Sequence, residues 1–149
     1  MSTRCQILIK DGEGDELLFY RHSDGYPEGT MPTLQEFMKW VRQGFIRDNV
    51  EQSTGWLILI GTREINSESS KPVPSLKPNP EDKMYGWKCG IYEPSLERHG
   101  DISYLYILDL EYKTITCYKA GVSLLLPDPK EDTLLFIDTT NNAWDGKEE

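Results

Sequence analysis

Histidine and cysteine are scarce in this 149-residue chain, with two of the first, His22 and His99, and three of the second, Cys5, Cys89 and Cys117. An odd cysteine count at wide spacing, with no Cys-x-x-Cys pair, excludes a zinc ribbon and a disulfide scaffold. Each cysteine sits in a run that reads as strand, so the expectation is free, buried thiols in a reducing compartment. Long apolar runs are also missing. None approaches the roughly 18–20 residues that span a bilayer, so no membrane association is expected. Met1–Cys5 shows no basic region leading into an apolar one, so no signal peptide is expected either. Positive charge is in deficit, with 16 Lys and Arg against 25 Asp and Glu and a net charge of −9. That balance opposes direct binding to nucleic acid, whose phosphates it repels, and suits a protein partner with a basic surface. The chain holds no Gly-x-Gly-x-x-Gly, Walker or Gly-x-Ser-x-Gly motif, and no cofactor is expected.

The length fits one domain over 1–149, large enough to bury a core without staples. Cys5–Asp11 alternates apolar and polar residues, Asp11–Gly14 is turn chemistry, and Asp15–His22 is the return strand of a hairpin. Ser23–Gly29 reads as a rigid turn-rich loop. Thr33 and Glu36 form a capping box that predicts a helix start, with Leu34, Phe37, Met38, Val41 and Phe45 as its apolar stripe and Gly44 near its end. The run Trp56–Ile65 suits a strand or a buried helix. The polar flanks favour a helix with Ser53 as cap. Residues 66–84, with four prolines, read as a Pro-rich surface loop. Tyr85–Tyr92, Ile102–Leu110 and Tyr112–Lys119 read as strands. Val122–Leu126 and Thr133–Asp138 read as an outer pair, and 139–149 as a polar tail that frays, with Trp144 tucking back. Strands and helices are segregated. The fold class expected is α+β, with an antiparallel sheet of about five to six strands and two helices packed on one face.

Both histidines stand two residues before an aspartate, His22 before Asp24 and His99 before Asp101. In extended backbone such a pair shares one face, and a carboxylate beside an imidazole orients the ring and favours its charged form. His22, Asp24, His99 and Asp101 are thus the candidates for catalysis if any occurs, or for a two-His, two-Asp metal site. The plainer reading is that Asp24-Gly25 and Gly100-Asp101 are turn dipeptides whose aspartates bond nearby backbone. Antiparallel pairing of the strand ending at His22 with the strand starting near Asp101 would bring the two units together. Tyr20, Arg21, Tyr26 and Tyr104 join His22, Asp24, His99 and Asp101 as candidate binding residues, with Arg21 or Arg98 placed to hold an anion.

The segment Tyr20-Arg21-His22-Ser23-Asp24-Gly25-Tyr26-Pro27-Glu28-Gly29, with the later His99-Gly100-Asp101-Ile102-Ser103-Tyr104-Leu105-Tyr106, resembles a family of small uncharacterised phage, prophage and bacterial proteins. The resemblance covers about two thirds of the chain, and the Pro-rich loop and the end after Gly121 depart from it. It implies a cytoplasmic setting in a bacterial host and no particular activity. The first functional expectation is a non-enzymatic binding or regulatory protein, a phage-type inhibitor of a bacterial defence partner that acts through an acidic surface. The alternative is a small hydrolase, or a nucleotide- or small-molecule-binding protein, that uses the two His-x-Asp units.

Overall fold

The computed structural model describes residues 2–68, 91–144 and 146. The elements run β1 (Cys5–Lys10), β2 (Glu16–Arg21), α1 (Pro27–Arg42), α2 (Val50–Glu68), β3 (Glu93–Ser95), β4 (Tyr104–Asp109), β5 (Thr114–Lys119) and β6 (Thr133–Asp138). The fold is α+β, with one six-stranded sheet in the order β3-β2-β1-β4-β5-β6. Four of its five neighbouring pairs are antiparallel, but β1 and β4 run parallel, from Cys5 opposite Tyr104 to Lys10 opposite Asp109. The sheet is therefore mixed rather than wholly antiparallel. β1 is buried on both faces over Cys5–Ile9, which fits the centre of a sheet.

The parity of the strands sorts their side chains. Cys5, Ile7, Ile9, Phe19, Tyr106, Leu108, Ile115, Cys117 and Phe136 share one buried cluster with Met31, Leu34, Phe37, Met38 and Val41 of α1 and Leu57 and Ile60 of α2. The opposite parity, Leu8, Leu18 and Ile107 with Tyr20 and Leu105, forms two smaller clusters against Ile102 and Leu126. Cys5 and Cys117 are buried; Cys89 lies outside the described residues.

Helix α1 starts six residues before the expected cap. Pro27 is its first residue, pre-set in φ and with no N–H to leave unpaired, and Tyr26 is the extended N-cap residue (φ −67°, ψ 160°). Thr33 lies inside the helix, where its hydroxyl donates to the Thr30 carbonyl at 3.0 Å. The helix stops before Gly44, whose φ of +81° favours glycine. Phe45 therefore leaves the stripe and is 73% exposed. Trp56–Ile65 is helical, but α2 begins at Val50, not at Ser53. Asp11 supplies the reason: its carboxylate accepts Val50 N–H at 2.8 Å as well as Glu13 and Asp15 N–H, so the β1–β2 turn caps α2. The helix runs on through Glu68, into the first residues of the expected Pro-rich loop. The rest of that loop, and 85–90 of the strand expected over Tyr85–Tyr92, lie outside the described residues; Ile91 and Tyr92 are not in a strand.

Val122–Leu126 is irregular rather than a strand, and β6 pairs with β5 instead. The Asp132 carboxylate organises this loop by accepting N–H groups of Gly121 and Asp128 at 2.9 and 2.7 Å. It also takes both terminal nitrogens of Arg98 at 2.7 and 2.6 Å. This buried, forked pair ties the loop to residues 96–101. In the tail, the Gln35 side chain donates to Asp138 and to the Asn142 carbonyl and accepts Trp144 N–H, so residues as far as Trp144 rest on α1.

Candidate functional site

Tyr20 lies in one row across the sheet, opposite Glu93 of β3 on one side and Gln6 of β1 on the other, with Leu105 of β4 beyond Gln6. Directly opposite residues point to one face, so Tyr20, Glu93 and Gln6 share the face away from the larger cluster. The expected direct pairing of β2 with β4 is absent, because β1 lies between them. Their ends still meet. β2 runs antiparallel to β1 and β4 parallel to it, so the close of β2 and the start of β4 come to the same end of the sheet.

There a cleft of about 540 Å³ opens among Arg4, Tyr20, His22, Glu93, Ser95, Glu97, His99 and Asp101. The Tyr20 ring packs against both histidines, with centroids 4.5 Å from His22 and 4.7 Å from His99. Its hydroxyl donates to Asp101 Oδ2 at 2.9 Å, and Arg4 Nε stands 3.6 Å from that same oxygen. Burial, then the hydrogen bond to Asp101, push the Tyr20 phenol up to about 12, so it stays a neutral donor. His22 Nε2 meets Glu93 Oε2 at 3.1 Å.

Gln6 holds the wall. Its Nε2 donates to Ser95 Oγ at 3.0 Å and to the Glu97 carbonyl at 2.9 Å, and its Oε1 accepts His99 N–H at 2.8 Å. A fully buried amide with three partners is well satisfied, and it fixes residues 95–99 to the central strand.

The eight candidate binding residues divide evenly. Tyr20, His22, His99 and Asp101 come together. Asp24 does not join them. It has a φ of 56°, which turns the chain away from the β2 direction, and its Oδ1 accepts the Tyr26 hydroxyl at 3.1 Å. The carboxylate beside His22 is Glu93, not Asp24. Tyr26 stands at the start of α1. Arg21 is buried, donating to Ser23 O, Tyr92 Oη and Gly29 O, and Arg98 is taken up by Asp132, so neither is placed to hold an anion in the cleft. Tyr104 packs on the other face of β4, stacked with Tyr106 and under Lys119. The two-His, two-Asp metal set fails on geometry, since among the described residues its ligand atoms do not gather around one point. Asp11, Glu13 and Asp15 do gather, but Asp11 already accepts three backbone N–H groups.

The motif reading missed Arg4, Gln6, Glu93 and Glu97. Glu93, Glu97 and Asp101 recur at every fourth position around His99, and this carboxylate density was the signal available. A second cleft of about 700 Å³ lies between α1 and the tail, lined by Pro32, Gln35, Lys39, Trp40 and Trp144. It is the larger of the two but contains no histidine. No family model matches the chain, and neither a curated protein nor a solved structure matches it.

Proposed function

We propose that this chain is a non-enzymatic binding protein that engages a partner with a basic surface through the cleft at the end of β2. The observation that carries this reading is the charge of the lining, which among the described residues holds three acidic residues, Glu93, Glu97 and Asp101, against one arginine, Arg4. The net charge of −9 has the same sign and speeds encounter with a basic partner. The resemblance of its two motifs to phage and bacterial proteins supports a bacterial cytoplasmic setting and a role as a phage-type inhibitor of a host defence component. The test is a pull-down from bacterial lysate at low and physiological salt, comparing the wild-type chain with Glu93→Lys/Glu97→Lys. The reading expects a partner that is retained better at low salt, where charges are less screened, and lost by the variant. A lysate that yields no variant-sensitive partner at either salt overturns it.

A second reading rests on the His22–Glu93 hydrogen bond, which gives a carboxylate-oriented imidazole in a cleft of small-ligand size. It makes the chain a small hydrolase or a nucleotide- or small-molecule-binding protein. It expects nucleotides or substrate-like phosphoesters to raise the melting temperature, and an unmoved transition with all of them rejects it.

A further inference from the structure

We infer that the cleft receives one arginine side chain of a basic protein partner, its guanidinium paired with the rim carboxylates and lying against the imidazoles. This inference rests on the basic-partner reading and names what that partner places in the site.

The carboxylates are unequally used. Asp101 is shared by Tyr20 and Arg4, and Glu93 is shared with His22. Glu97 has no cation partner among the described residues. Among the described residues, three acidic side chains against one arginine make the lining of the cleft acidic. An anion entering here would give up its water to face like charges, whereas a cation gains.

The stacking surfaces choose among cations. Tyr20 is 6% exposed and packs against both histidines, so little of its ring is open to a guest. The His22 side chain is 55% exposed, and His99 is exposed as well. A flat guanidinium can lie on such a ring and present its N–H edge to a carboxylate at the same time. An ammonium group is a compact, strongly hydrated point charge and cannot do both.

The experiment titrates the full chain with three peptides, acetyl-Gly-Arg-Gly amide and its lysine and citrulline analogues, while the ring signals of His22 and His99 are followed by NMR. Expected at pH 8 are saturable shifts of both rings with the arginine peptide, binding several-fold weaker with lysine, and none with citrulline, which keeps the shape without the charge. Glu97→Gln, on an exposed side chain, should weaken arginine binding several-fold with an unchanged spectrum elsewhere. Unmoved histidine signals, equal binding of citrulline or lysine, or no loss in Glu97→Gln overturns the inference. Nona-arginine, followed by calorimetry alongside the histidine signals, separates the two levels. If it binds while the histidines stay unmoved, the basic-partner reading survives and the arginine subsite does not. If it fails to bind at low salt, both fail.

Discussion

The Tyr20 hydroxyl and the Asp101 carboxylate, 81 residues apart in sequence, meet at 2.9 Å where β2 ends and β4 is about to begin. The bond has a pH signature. Burial, then the bond to Asp101, push the Tyr20 phenol in the folded chain from its ordinary 10.0 up to about 12. The folded chain therefore holds this proton more tightly than the unfolded chain does. That contribution is complete below about pH 10 and is lost as pH rises through about 12. Denaturant midpoints should fall across this window, and Tyr20→Phe, which has no phenol to ionise, should flatten the fall. An unchanged slope in Tyr20→Phe would remove Tyr20 as its source.

Arg98 and Asp132 make the opposite case. Burial pushes the Asp132 carboxyl up, but hydrogen bonds from Arg98, Asp128 N–H and Gly121 N–H, with the Arg98 charge, outweigh it and leave the group below the usual range. A depressed carboxyl contributes stability above its unfolded pKa and loses it as pH falls through the folded value. Asp132→Asn should cost about 3–5 kcal/mol, because the Arg98 charge is left buried and unpaired. Arg98→Met/Asp132→Leu should recover much of that loss. Urea denaturation of the three chains decides it. A double variant no more stable than Asp132→Asn would contradict the buried-charge account.

Gly25 touches the site through the backbone. A Cβ added there would lie 2.8 Å from Cys5 N and 2.9 Å from the Arg4 carbonyl carbon, both main-chain atoms. Gly25 N–H also donates to Thr3 O at 2.9 Å. Gly25→Ala should destabilise by about 1–3 kcal/mol, as overpacking does, and disturb the Arg4 amide signal. A variant of wild-type stability would show that the strand end can yield.

His22→Ala should leave folding nearly unchanged, by less than about 1 kcal/mol, since its exposed contact with Glu93 contributes little. If thermal unfolding drops by much more than that, His22 is a structural residue, and the case for a ligand at the cleft weakens.

The sequence made β1, β2, β4, β5, β6 and the existence of both helices legible, because alternation and helical spacing are local signals. The three-residue β3 is too short to show a period, and three further features escaped for physical reasons. Tyr26-Pro27-Glu28-Gly29 carries turn residues, yet Pro27 at the first position of α1 suits a helix start as well as a turn. The carboxylate beside His22 was read as Asp24 because it was near in sequence, whereas Glu93, 71 residues away, reaches it across a strand pairing. The parallel β1–β4 contact depends on sheet order, which no local pattern encodes. His22 and His99 were found as a shared corner, but by assuming that β2 and β4 touch, when β1 lies between them.

That intervening strand also sets when the site exists. β1 and β2 pair through a short turn and can form early, but Tyr104 must register beside Cys5 before His99 and Asp101 reach Tyr20. Closing so long a stretch of chain is a slow step compared with forming a hairpin. During synthesis the hairpin would emerge first, with an open edge and no cleft. The site would appear only once β4 had followed, so binding at the cleft would report a completed sheet.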